Sequence, residues 1–209
     1  MKPPFATCHL WFGAIFLASA GFACTHTQTD DHRLNATTKQ PEVTITEGVL
    51  YLDGTKVQLP ATPQEFVKLL GKPTRERKNA NTDLIWHENG IRKQILGNSI
   101  LIWDDLGITV YVDRNIKKSR AINFSLQQES FAFSPKKVFA GKIIVDGAEI
   151  TKTSTVDQIN VATMGKQFRL VFDFMPNWWS AAYTTGTIYV RTVAPPGKGI
   201  ESLQLGISL

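Results

Sequence analysis

One strand, turn and strand pattern occurs twice in this chain, and any fold must place both copies. Gly48-Val-Leu-Tyr-Leu-Asp53-Gly54-Thr-Lys-Val57 lies over Gly141-Lys-Ile-Ile-Val-Asp146-Gly147-Ala-Glu-Ile150 at a constant offset of 93. A long internal period is the mark of a duplicated structural unit. Each Asp-Gly pair suits the two positive φ angles of a type I′ turn, whose twist matches that of paired strands. Asp53, Gly54, Asp146 and Gly147 are therefore read as turn residues. The apolar positions alternate, Leu50, Leu52 and Val57 in one copy against Ile143, Val145 and Ile150 in the other, so one face of each hairpin is built to be covered.

The same offset carries into a helix. Thr62-Pro63-Gln64-Glu65 aligns with Thr155-Val156-Asp157-Gln158, and each is a capping box in which the threonine and the third residue after it satisfy orphan amides of the first turn. Pro63 at the first helical position costs nothing, because its missing N–H would be unpaired there anyway. Phe66, Val67, Leu69 and Leu70 form the first apolar stripe, ended by Gly71 before Pro73. Ile159, Val161, Ala162 and Met164 form the second, ended by Gly165. Helices this short need a sheet to cover.

Further β-like segments follow each helix: 83–87, 100–104, 108–112 and 121–127, then 167–174, 187–191 and 202–208. Leu84-Ile-Trp86 through Ile91 echoes Leu101-Ile-Trp103 through Ile108 at an offset of 17, which suggests an extra hairpin. The expected fold is α+β: two tandem repeats, 47–130 and 138–209, each an antiparallel sheet with one helix packed on one face.

The amino terminus points to export. Lys2 precedes the apolar run Leu10 to Ala18 and the small residues Ser19 to Gly21, the layout of a secretory signal over residues 1–23. The run is shorter than the roughly 20 apolar residues of a spanning helix. Leu17-Ala18-Ser19-Ala20-Gly21-Phe22-Ala23-Cys24 resembles a bacterial lipoprotein box, which makes Cys24 the lipidation site, although Gly21 and Phe22 depart from the usual leucine and small residue. Cleavage after Ala20 or Ala23 is the competing reading. Cys8 leaves with the signal, so Cys24 is the only cysteine of the mature chain and no internal disulfide can form.

Residues 24–46 are polar and rich in threonine, and read as a lipid-anchored linker with the character of a solvated tether. Loss of Lys2 leaves 22 basic against 18 acidic residues, spread over loops and strand ends such as Arg75-Glu76-Arg77-Lys78. Export together with so weak a basic excess argues against nucleic acid as a partner.

Three stretches carry a family likeness. Leu52-Asp53-Gly54, Leu70-Gly71-Lys72-Pro73 and Trp103-Asp104-Asp105-Leu106-Gly107 resemble the marks of a domain family of bacterial lipoproteins and exported proteins: a hairpin, a helix end and a turn. The likeness covers Gly48 to about Gln127, and in the second copy only the hairpin and helix. The helix is also similar to that of outer-membrane assembly lipoproteins of the SmpA/OmlA type and to β-lactamase-inhibitor-protein-like tandem folds. What this implies is an α+β scaffold, and it suggests a role in binding or assembly.

Chemistry is sparse. His87 is the only histidine between the tether and the carboxyl terminus, so neither a Cys/His nucleophile pair nor a histidine-rich metal site can be assembled. No catalytic residue, metal or cofactor is expected. Asp104 and Asp105, followed by Gly107, read as turn residues that hydrogen-bond local backbone. Trp86 and Trp103 read as cross-strand core residues. Met175-Pro176-Asn177 reads as a loop presenting Trp178, Trp179 and Tyr183 as candidate anchors for a partner. The expectation is a periplasm-facing, outer-membrane lipoprotein that binds another envelope or delivered protein without catalysis, as an inhibitor or immunity protein does. A structural or assembly lipoprotein of the outer membrane is the alternative, and an enzyme of unrecognised type the third reading.

Overall fold

In the computed structural model the described residues are 39–78, 84–88, 91–95, 97–128, 132–163, 167–171, 177–192 and 199–207, with backbone alone for 84–88 and 91–95. The signal segment, Cys24 and the linker up to residue 38 lie outside them. The architecture is α+β. Both Asp-Gly hairpins form where expected: β2 (Val49–Leu52) with β3 (Thr55–Val57), and β10 (Ile143–Val145) with β11 (Ala148–Ile150). Their turns are alike, with φ of 46° at Asp53 and Asp146 followed by 75° at Gly54 and 87° at Gly147.

The two hairpins do not belong to separate sheets. Both flank β1 (Val43–Thr46) in one five-stranded sheet of order β3-β2-β1-β10-β11, antiparallel except that β1 and β10 run parallel. The expectation of one antiparallel sheet per repeat is corrected here, and so is the end of the linker. Residues 43–46 are a central strand, with Val43 and Ile45 fully buried. Burying those two side chains contributes roughly 3 to 6 kcal/mol. Val-Thr-Ile-Thr alternates as a strand should, but it is only one turn of pattern after a polar run, too short to stand out.

Asp53 and Asp146 hold the two ends of β1. At its start the Glu42 N–H donates to Asp53 Oδ1 at 2.9 Å, and the Asp53 N–H donates to the Glu42 carbonyl. At its end the Glu47 N–H donates to Asp146 Oδ1 at 2.8 Å, and the Asp146 N–H donates to the Ile45 carbonyl. Because β1 is antiparallel to β2 and parallel to β10, the same turn chemistry lands at opposite ends.

Helix α1 (Pro63–Leu70) starts at Thr62, whose N–H and hydroxyl both donate to Glu65, and stops at Gly71 with φ of 75°. Those two donors hold the Glu65 carboxyl below the usual range. Helix α2 (Val156–Ala162) has the reciprocal box between Thr155 and Gln158, but it stops at Thr163, before Gly165. Its buried residues are Val156 and Ile159. Val161 and Ala162, expected in the apolar stripe, are exposed, Val161 at 83%, because the face turned to the core runs through Val156, Ile159 and Thr163.

The remaining strands are β4 (Arg75–Lys78), β5 (Leu84–Glu88), β6 (Ile91–Ile95), β7 (Asn98–Trp103), β8 (Ile108–Asp113), β9 (Lys118–Ser125), β12 (Arg169–Leu170), β13 (Trp178–Tyr183), β14 (Gly186–Thr192) and β15 (Ile200–Gly206). β5 and β6 pair as a hairpin of their own, in keeping with the echo at offset 17. The others form an eight-stranded antiparallel sheet of order β12-β13-β14-β15-β9-β8-β7-β4. Its seam is β9 against β15, with Phe124 opposite Leu203 and Asn123 opposite Gln204. One core cluster joins both sheets and both helices, from Val43, Ile45 and Phe66 to Phe124, Ile188 and Leu203.

Candidate functional site

Trp178, Trp179 and Tyr183 lie on strand β13 and not on a loop, so the strand's period of two sends them to different faces. Trp179 and Tyr183 are half-buried and packed against the core. The Tyr183 hydroxyl donates to Asp146 Oδ2 at 2.6 Å, and burial together with that carboxylate pushes the phenol well above the ordinary tyrosine range. Thr185 donates to the Glu47 carbonyl beside it. Tyr183 is thus a lock between the two sheets. Trp178 alone of the three faces away from the core.

On the sheet face turned away from the core cluster the strand register lines up rows of polar and aromatic residues, of which Thr109, Asn123, Ser125 and Ser202 are buried. One row runs Thr109, Asn123, Gln204, Tyr189 and Ser180; the next runs Ser125, Ser202, Arg191 and Trp178. A cavity of 170 Å³ lies here, and its described lining includes Tyr111, Asn123, Phe133, Trp178, Arg191, Ser202 and Gln204. The Arg191 guanidinium stacks over the Trp178 ring at 5.6 Å, a contact worth about 1 kcal/mol when partly exposed. Glu201 Oε2 lies 3.1 Å from Arg191 Nε as an ion pair, without the alignment of a hydrogen bond. Asn123 donates to Ser125 Oγ only at 3.4 Å, a weak bond for a buried amide.

Asp104 and Arg75 hold the backbone of the segment that carries Phe133. The Asp104 carboxylate accepts from Arg75 through both Nε and Nη2 and from the Lys136 N–H at 3.0 Å. Arg75 and Arg77 also donate to the Ala132 carbonyl, and Arg75 to that of Ser134. Burial pushes the Asp104 carboxyl up, but the Arg75 and Lys136 bonds outweigh it and leave it below the usual carboxylate range. The local backbone role expected of Asp104 is corrected: its partners lie about 30 residues away in β4 and in segment 132–137. Asp105 points outward to Lys137, and its carbonyl accepts from Gln40.

Trp103 is buried, as expected, and its indole N–H donates to the Gly71 carbonyl at 2.9 Å, so the helix end and the Trp-Asp-Asp-Leu-Gly turn meet. Gly107, at φ of 71°, passes so close to the Phe139 backbone that a Cβ would sit 2.1 Å from its nitrogen. The side chains of Trp86 and His87 lie outside the described residues. Among the described residues no three His, Cys, Asp or Glu side chains come together, and no helix is long and apolar enough to cross a membrane.

The profile of a family described as a domain of unknown function, DUF7738, matches residues 42–160, more than half of the chain. The chain belongs to this family. No curated protein and no solved structure matches it. The DUF7738 match begins at β1 and ends inside α2, so it takes in the whole five-stranded sheet and crosses the boundary expected between 130 and 138. Of the cavity, Tyr111, Asn123 and Phe133 fall inside the DUF7738 region, while Trp178, Arg191, Ser202 and Gln204 come from the chain beyond it.

Arg191, Gln204, Asn123, Ser202, Tyr111 and Phe133 were not singled out by sequence reasoning. The signal available was alternation: Ile188-Tyr-Val190-Arg191 and Leu203-Gln-Leu205 place Tyr189, Arg191 and Gln204 on the face opposite the apolar residues. Which strands lie side by side, and hence which outward residues become neighbours, is not written in that pattern.

Proposed function

We propose that this chain is a non-catalytic binding protein of the bacterial envelope, exported by residues 1–23, anchored through a lipid on Cys24, and presenting to another protein the part of the eight-stranded sheet's second face that carries Trp178, Ser180, Tyr189 and Arg191. The observation that carries the reading is the Trp178–Arg191 stack on that face, an aromatic and arginine pair on paired strands. Tryptophan, tyrosine and arginine dominate the binding energy of protein interfaces, and a sheet holds them at little entropic cost. Segments 48–71 and 141–163 are read as copies of one duplicated unit whose sheets merged. That reading is supported by matching turns, matching caps and a seam at β9 and β15 that leaves four strands on each side.

Photo-cross-linking in the producing cells tests it. A photoreactive residue at Ser180 or Tyr189 should give a discrete adduct with one protein, and one at the exposed Lys56 should not. Equal labelling from all three positions, or none, would dismiss the face as a binding surface. Intact mass of the mature protein checks the lipid on Cys24.

A further inference from the structure

The turn between β8 and β9 stands at the end of the large sheet opposite Trp178. Strand β9 sets the distance: Lys118 opens it, and Ser125, in one row with Ser202, Arg191 and Trp178, closes it roughly 23 Å away at about 3.3 Å per residue. We propose that this turn, residues 114–118, docks on an anionic phospholipid surface, a reading that rests on the lipid-anchored envelope protein inferred above and adds how that protein is oriented. Docked there, the domain turns Trp178 and Arg191 away from the bilayer, where a partner protein reaches them.

The turn has the two components of an interfacial contact, an apolar tip and a basic flank. Among the described residues Ile116 is one of two large apolar side chains left exposed, at 45%. It is held outward: Asp113 accepts from the N–H groups of Asn115 and Ile116, and Lys117 completes the bend with φ of 54°. Lys117 and Lys118 follow it, both exposed, and the exposed Lys78 lies at the same end of the sheet, in one row with Ser99, Val112 and Ser119. The acids nearby do not cancel this charge. Asp113 is buried and spent on Arg120 at 2.6 Å, Glu65 is spent on its helix cap although it also faces Lys118, and Glu76 on β4 is a single charge. Arg114 has partners of its own, so the case stands on Ile116, Lys117 and Lys118. A protein groove that took Ile116 would strip the two ammonium groups of water, whereas a headgroup layer takes the isoleucine and leaves them hydrated among phosphates. Each lysine near such a surface strengthens binding about fivefold. That is too little to hold a free protein but enough to orient a tethered one, because the second contact is then intramolecular. At about 3.3 Å per residue, residues 24–39 reach at most about 50 Å, so an anchor on Cys24 allows the docked pose although Gln40 bonds to Asp105 at the far end of β8.

The test uses the mature chain purified from membranes and reconstituted with vesicles of phosphatidylcholine, alone or mixed with phosphatidylglycerol. An environment-sensitive fluorescent amino acid replaces Ile116 or, at the far end, Ser180, and its quenching by spin labels carried on the lipid is read. With phosphatidylglycerol present, position 116 should be quenched and position 180 should not. Lys117→Gln combined with Lys118→Gln should cut the docking equilibrium about thirtyfold, and raised salt should weaken it as well. Quenching at 116 that ignores phosphatidylglycerol, equal quenching at both positions, none at 116, or no effect of the double substitution overturns the proposal. So does a photoreactive residue at position 116 that captures a protein. The arms separate the two readings. An acylated Cys24 with position 116 unquenched keeps the anchored protein and rejects the docking turn. Quenching at 116 without lipid on Cys24 keeps the turn and rejects the anchor.

Discussion

Tyr183 and Asp146 are joined by a 2.6 Å hydrogen bond that fastens a strand of the large sheet to a turn of the small one. Asp146 spends its other oxygen on the Glu47 N–H, so one carboxylate ties a hairpin, the end of β1 and β13 together. Three segments distant in sequence depend on it.

Removing the phenol oxygen with Tyr183→Phe should cost about 1 to 2 kcal/mol, the worth of a hydrogen bond to a charged group. Asp146→Ala should cost more, about 2 to 3 kcal/mol, since it also uncaps β1. Urea unfolding reads both. In alkaline titration of the four tyrosines by ultraviolet absorbance, one should stay protonated above the ordinary value near ~10, and Tyr183→Phe should remove that laggard. Since the folded value is raised, this stabilisation is intact below about pH 10 and declines as pH rises beyond it.

Acid should act through Asp104, Asp113 and Glu65. Burial opposes ionisation of Asp113 as of Asp104, but the Asn115 and Ile116 N–H groups and Arg120 bring it below the usual range. Folded values below the unfolded ones, near ~4, mean that the stabilisation is complete above about pH 4 and is lost as pH falls through the folded values. Asp104→Asn should lower stability at neutral pH by about 2 kcal/mol and make the acid limb less steep. An unchanged limb would show that the Arg75 latch contributes nothing.

Gly107 and Gly54 have nearly the same positive φ but different surroundings. Nothing lies within 4 Å of a Cβ built on Gly54, so Gly54→Ala should cost only the conformational strain, about 1 kcal/mol. Gly107→Ala must also displace the backbone at Phe139, and should cost at least about 3 kcal/mol or prevent folding. Thermal unfolding of the pair separates strain from collision.

Strand β1 makes a claim about the tether. Ile45→Ala should cost about 2 to 4 kcal/mol, a core value that a solvated linker residue would never show. Limited proteolysis should leave β1 intact.

The two tryptophans should separate cleanly. Trp179→Ala should destabilise by about 2 kcal/mol or more, as its ring packs on the core, while Trp178→Ala should stay within about 1 kcal/mol and weaken partner capture. Equal effects on stability would mean that Trp178 is also structural.

Turns and caps were legible in the sequence because their causes are local. An Asp-Gly pair needs positive φ wherever it stands, and Thr62 with Glu65 satisfies its own first turn, so both hairpins and both helix starts follow from a few adjacent residues. Tertiary neighbours decided the rest. β1 and β4 carry patterns too short or too charged to announce a strand, and they exist because a sheet lends them partners. Trp178 and Trp179 look equivalent in sequence, yet pairing of β13 with β14 buries one against the core and turns the other toward Arg191. Asp104 meets Arg75, and Asn123 meets Gln204, only because strands remote in the chain lie about 5 Å apart in the sheet. Local sequence determined which pieces form, since a turn or cap is stabilised by atoms a few bonds away. Burial of their apolar faces against one another decided how the pieces merge and which polar residues are left to face outward together.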